Sequence, residues 1–220
     1  LKALIKGKAI DANEGKHLTA VLFYAQAVEA DLAGQKTTAR DHAQAALKSD
    51  PSLIPAALLL SRHHLAHNDK AKARKTLETI WKNAPHPDLA DVFLDLEPME
   101  SPSEKYRRVE KFCDLNKDHP HSLHFLAKIS LMTEHWAEGK KALSLIQSRG
   151  AASQETFHLL ARLELLQKQD KQAADHYMAQ TKLAPADPAW KCLKCETTLG
   201  KFAAKCPHCH EFGKVIWQGS

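Results

Sequence analysis

Glycine is scarce in this chain, at 8 of 220 residues, and none of the sequences G-x-x-x-x-G-K-[ST], G-x-G-x-x-G or G-x-S-x-G occurs. Those loops let a backbone close around a phosphate or expose a nucleophile, and without one the chain is expected to have no enzymatic activity. No run of 18 apolar residues occurs, so no segment reads as a helical membrane span. The start, Leu1 rather than a methionine, lacks the charged and apolar zones of a signal peptide and is read as part of a longer chain. Charge is also unexceptional: 31 Lys and Arg against 26 Asp and Glu give +5, too mild for a nucleic-acid-binding tail. Cysteine is nearly missing from the body, where Cys113 stands alone; the other four lie in the last 30 residues. A secreted disulfide protein scatters paired cysteines instead, so a reducing compartment, the cytosol, is expected.

Alanine and leucine abound, and both favour helix. The stretch "VLFYAQAVEADLAGQKTTARDHAQAALKSDP" aligns with "AALLLSRHHLAHNDKAKARKTLETIWKNAP" at a shift of 34 residues. Ala27 then matches Ser61, Ala39 matches Ala73, the turn Gly34-Gln35 matches Asn68-Asp69, and Pro51 matches Pro85. A further copy ends at Pro185 with Ala161 and Ala173 in the corresponding places, and two looser units lie between, one of them ending at Pro120. Each unit reads as a helix, a polar turn, a second helix and a stopping proline. Small residues at the crossings let two helices approach, and stacked hairpins share a core that one hairpin cannot form alone. The first 16 residues read as the remnant of a preceding unit.

The pattern resembles the tetratricopeptide repeat over residues 17–186. It implies an all-α helical solenoid of about five hairpins over residues 1–187, followed by a small β-ribbon module over 188–220. On the concave side, lined by each unit's first helix, the repeat phase places Arg62, Lys128 and Arg162 in one stripe. One turn earlier come Tyr24, Leu58, His124 and His158. Such a stripe suits an acidic peptide or a chain terminus; it equally suits an ordinary solvated helix face. His63 and His67 share a helix face, but no third ligand stands at an obvious spacing. Cys113, between Phe112 and Asp114 and near Val109, reads as a buried apolar residue.

The tail "WKCLKCETTLGKFAAKCPHCHEFGKVIWQGS" carries two Cys-x-x-Cys pairs. Cys192, Cys195, Cys206 and Cys209 form a set of four thiolates suited to a tetrahedral structural zinc, with iron as the alternative because the same ligands suit both. Four protein ligands leave no open position for catalysis. The intervening "ETTLGKFAAK" has the length of a β-hairpin turning at Gly200, and "KVIW" reads as a strand. With five lysines, two glutamates and a metal-tetrathiolate core, the segment's field is close to neutral, and nucleic acid is not an expected partner. The ribbon is expected to cap the last hairpin, with Trp190 and Trp217 on the docking surface.

"APHPDLA", "ESP" and "DHP", in that order within "IPAALLLSRHHLAHNDKAKARKTLETIWKNAPHPDLADVFLDLEP" and "ESPSEKYRRVEKFCDLNKDHPHSLHFLAKISL", together with "DPAWKC", resemble the HemY-like tetratricopeptide proteins of alphaproteobacteria. That resemblance implies a scaffold nominally linked to haem biosynthesis, held at the cytoplasmic side of the inner membrane by an anchor that precedes the repeats. Its partners would be proteins or peptides on the concave surface. An iron- or redox-responsive adaptor and an accessory factor of haem synthesis are the alternatives. The tail resembles that of the lipopolysaccharide assembly protein B family, where a rubredoxin-like module packs against such repeats. By that likeness the four cysteines are the ligands, while Glu196 and His210 stand where such knuckles usually have glycine, a position that favours positive φ.

Overall fold

The computed structural model describes residues 11–218. Most of the expected N-terminal remnant lies outside them, and its last residues form the first turn of α1. Ten α-helices follow among the described residues: α1 (Ala12–Leu32), α2 (Lys36–Ser49), α3 (Ile54–Ala66), α4 (Lys70–Trp81), α5 (Pro87–Leu94), α6 (Pro102–Cys113), α7 (Pro120–Met132), α8 (Trp136–Ser148), α9 (Gln154–Lys168) and α10 (Lys171–Thr181). The strands are β1 (Ala189–Cys192), β2 (Thr198–Leu199) and β3 (Val215–Gln218). Four of the hairpins, α1–α2, α3–α4, α7–α8 and α9–α10, pack closely along their length.

The small residues do what their spacing predicts. Ala27, Ala39, Ser61, Ala73 and Ala127 are fully buried, because the two helices of a hairpin meet there. At Gly139 an added Cβ would lie 3.0 Å from Leu131 Cδ1 and 3.1 Å from Ser130 Cβ, so α7 and α8 need the missing side chain. The last hairpin departs by one residue: Ala174 is buried and Ala173 only half-buried. There α9 runs on to Lys168 and ends in a left-handed Gln169, which shifts the phase of α10. Gly34, Asn68, Glu134 and Gln169 all take positive φ, between 54° and 74°, and so turn the first helix into the second in every pair but α5–α6. Only Gly34 does so without Cβ crowding.

Helix starts explain the proline motifs. His86 and His119 precede Pro87 and Pro120, and each accepts through Nδ1 from the amide two residues on, Asp88 at 3.1 Å and His121 at 3.2 Å. An imidazole thus serves as N-cap where Ser or Asp is usual, and proline at the first helical position loses no needed donor. At α6, Ser101 and Glu104 form a reciprocal capping box. The unit α5–α6 is the irregular one, since α5 has 8 residues. It is joined by Phe93 stacked on Phe112 at 3.8 Å, with the Arg108 guanidinium 4.5 Å from the Phe93 ring centroid. Arg108 also donates to the Phe93 carbonyl and pairs with half-buried Glu100.

The strands form an antiparallel sheet in the order β2-β1-β3, with Trp190 opposite both Leu199 and Trp217. The β3 strand is the one expected from "KVIW". The hairpin centred on Gly200 does not form: β2 pairs with β1 across the first cysteine knuckle, and the chain then runs on to the second.

Two compact units result. Residues 11–84 join with 189–218, and residues 85–188 form the other. The ribbon belongs with the first helices and packs on them, whereas the last hairpin, which it was expected to cap, belongs to the other unit, where α9 and α10 leave Leu165, Leu166 and Met178 exposed. The physical reason is specific: Phe202, Ala204 and Phe212 fill a core built by Ala20, Val21, Ala46, Leu53 and Ala56. Gly213 lets the ribbon sit on α1, because a Cβ there would come within 2.4 Å of Leu18 Cδ2.

Candidate metal centre and repeat surface

The two knuckles are built alike. Cys192 O accepts from the Glu196 amide at 2.8 Å and Cys206 O from the His210 amide at 3.0 Å. In return Cys192 N–H donates to Thr197 O and Cys206 N–H to Glu211 O. Glu196 and His210 take φ of 58° and 59°, the left-handed conformation that glycine would adopt more easily. The Leu193 amide donates to Lys214 O at 2.8 Å, tying the first knuckle to the strand that follows the second.

This backbone brings Cys192, Cys195, Cys206 and Cys209 to one point, all four sulfurs within 4.8 Å of one another. Cys192 and Cys209 are 3.6 Å apart, and Cys195 and Cys206 are 3.7 Å apart. A disulfide requires about 2.05 Å. A tetrahedron with metal–sulfur bonds of about 2.3 Å has edges of about 3.8 Å. The cluster is thus spaced as a metal tetrathiolate, and all four cysteines are free of disulfides.

The electrostatics agree. Hydrogen bonding between Cys195 and Thr197, whose Oγ1 lies 3.3 Å from the sulfur, holds the Cys195 thiol down to about 5. At Cys209 the Glu211 amide favours the thiolate, but burial and the hydrogen bonds with the other three cysteines push it up to about 12. Four thiolates this close cannot all stay ionised without a cation, and a divalent ion relieves that conflict. His208 and His210 are exposed and stand outside the cluster. Trp190 packs edge-on against Phe202 at 5.2 Å and Trp217 at 5.3 Å. The rings thus brace the sheet, while Phe202 reaches on to Tyr24 at 5.4 Å. Lys214 closes the contact by pairing with Glu14 of α1 at 2.8 Å.

The stripe residues divide between the units. In the first, Tyr24 and Arg62 are neighbours: burial raises the Tyr24 phenol, and the Arg62 charge opposes that rise. Leu58 is buried core, whereas Arg62 is exposed. In the second, His124 is buried and Lys128, His158 and Arg162 are exposed. Lys128 pairs with Glu155 of α9, and His124 Nδ1 lies 3.5 Å from the same carboxylate. Glu155 was not foreseen as a site residue, since its link to Lys128 spans two hairpins. The His63 and His67 rings stack at 4.2 Å, and among the described residues the four cysteines are the only set able to hold a metal. Cys113 is buried beside Phe112, and that burial pushes its thiol up.

Fold and site define a class: a tetratricopeptide-repeat fold carrying a three-stranded ribbon with a four-cysteine cluster able to bind a metal ion. The tetratricopeptide repeat family description matches residues 32–92. The chain is 23% identical over 179 residues to the probable magnetosome protein Mms48 of Magnetospirillum gryphiswaldense. That alignment covers 81% of this chain and 40% of the relative, so the chain spans about two fifths of its length. A solved structure described as "Functional Characterization of Pseudomonas Aeruginosa pilF" aligns at 14% identity and a TM-score of 0.31, covering 77% of this chain and 93% of that one.

Proposed function

We propose that the protein is a non-enzymatic scaffold that holds protein partners on its repeat surface and is locked at its first hairpin by a structural metal. One observation supports the scaffold above all: successive first helices present polar side chains at recurring phases, with Tyr24 and Arg62 adjacent and Lys128, His158 and Arg162 exposed. Proteins of this fold generally mediate protein–protein contacts. In this reading residues 1–187 are the repeat solenoid and 188–220 the metal module, with Cys192, Cys195, Cys206 and Cys209 as ligands. Zinc is the proposed ion, since a closed tetrathiolate serves structure rather than chemistry. Iron would make the module a redox-responsive element. Absorption separates the two, because ferric tetrathiolate is red and zinc tetrathiolate is colourless.

The resemblance to HemY-like proteins supports a placement at the cytoplasmic side of an inner membrane through a preceding anchor, with haem synthesis as the process served. No helix among the described residues is long and apolar enough to cross a membrane. The scaffold reading is tested by crosslinking partners to the chain in native membranes and repeating the capture with Arg62 and Arg162 reversed to glutamate. Capture should fall several-fold. Unchanged capture would make those arginines an ordinary solvated face.

A further inference from the structure

Within residues 85–188 the repeat face holds a cavity of about 230 Å³. Leu94, Phe125, Ile129 and Met132 line its apolar part, and His124 and Glu155 stand at its polar end. A closed apolar space of about 150 Å³ accepts a benzene ring, while sites for larger ligands begin at about 300 Å³. The cavity is therefore sized for one substituted ring. Met132, 58% exposed on this rim, offers a thioether to such a ring.

His124 decides the substituent. It is 5% exposed, and burial depresses its basicity against the opposing pull of Glu155, so it is neutral near pH 7. A neutral imidazole has one donor and one acceptor nitrogen. Nε2 meets Thr156 Oγ1 at 2.8 Å, and that oxygen already accepts from the Ser153 amide at 3.1 Å. Nδ1 faces the Glu155 carboxylate, which can only accept, so the ring proton belongs on Nδ1 and the threonine hydroxyl donates to Nε2. Nδ1 has no hydrogen-bond partner, and Glu155 Oε2 at 3.5 Å is too distant to be a good one. The other Glu155 oxygen is held by Lys128.

Building on the reading of this face as a partner-binding surface, we propose that the cavity receives a tyrosine side chain from a partner polypeptide, its ring against Phe125, Ile129 and Met132 and its hydroxyl between His124 Nδ1 and Glu155. A hydroxyl accepts from Nδ1–H and donates to the carboxylate. Phenylalanine leaves both unserved, and tryptophan brings a donor only, which Nδ1–H cannot use. An acidic side chain meets the carboxylates of Glu155 and Asp91, with Lys128 as the nearby cation and already paired.

The probes are 4-methylphenol and toluene, titrated into the full chain while NMR follows the Ile129 and Met132 methyls and the Phe125 ring. The phenol should shift these signals and bind about tenfold or more tighter than toluene, because a site built around a hydroxyl rejects the analogue lacking it. His124→Leu should erase that preference, and Leu94→Trp, at the half-buried wall, should block both probes. If His124→Leu does not fold, Glu155→Ala should still reduce the preference. Equal affinity of the two probes would mean that water serves His124, and shifts confined to other residues would mean there is no such pocket; either overturns the proposal. A partner lost on reversing Arg62 and Arg162, with no phenol preference, sinks this pocket and leaves the scaffold standing. Phenol preference with unchanged capture does the reverse.

Discussion

In the unit made from residues 11–84 and 189–218, the closing contacts join segments as far as 200 positions apart, as when Lys214 meets Glu14. In residues 85–188 the comparable contacts link nearby helices: Phe93 to Phe112, His124 to Thr156, Lys128 to Glu155. The local unit can assemble hairpin by hairpin, each small residue and turn acting on its neighbours. The long-range unit must close a chain loop against entropy, and its ribbon has too little core to be ordered alone. The ring cluster of Phe202, Phe212 and Trp190 supplies part of what locality does not, and the proposed metal on the four cysteines would supply the rest.

The largest effect expected from breaking this contrast is at the cysteines. Cys206→Ser removes a ligand, and structural zinc sites contribute apparent free energies on the order of 10 kcal/mol. Metal analysis should show loss of the bound ion, and thermal unfolding should develop an early transition from the ribbon unit while residues 85–188 melt as before.

Acid should strike the other unit first. Burial lowers His86 to about 4, and burial together with neighbouring charge lowers His121 to about 3. Their contribution is complete above the unfolded value near 6.5 and is lost as pH falls from there through those folded values. The slope is about 1.4 kcal/mol per pH unit for each histidine, or about 3 kcal/mol for His86 across its window. His86→Asn keeps a side-chain cap but removes the titration. Denaturant unfolding between pH 7 and 4 should then show a shallower slope than the parent chain.

Gly213→Ala sharpens the first side of the comparison. It places a Cβ against Leu18 at a residue with φ of 67°, and should cost about 1–3 kcal/mol, read as a lower denaturation midpoint. Lys214→Ala, which breaks a half-exposed ion pair with Glu14, should lower Tm by no more than about 2 °C.

What could be read in advance follows the same division. The hairpins were legible because period, small residues and turns are local: Ala27, Ser61 and Ala127 mark crossings at constant phase. The cysteine spacing announced the four-sulfur cluster for the same reason. The docking face was not legible, since nothing in Phe202 or Phe212 tells whether the ring packs within the ribbon or on a helix nearly two hundred residues earlier. Gly200 misled because glycine favours turns in general, whereas the chain turns at Glu196 and His210, whose left-handed backbone is imposed by the knuckles. His124 and Lys128 were read as surface residues. The partners that bury one and pair the other, Thr156 and Glu155, lie a whole repeat away.

Hydrogen exchange across the chain, with the bound metal in place and after its removal by a thiol-selective chelating protocol, tests the clasp most directly. The account predicts that the ribbon and residues 18–27 of α1 lose protection together, while α9 and α10 keep theirs. Loss confined to the ribbon, or loss in α9 and α10 with α1 intact, would contradict it.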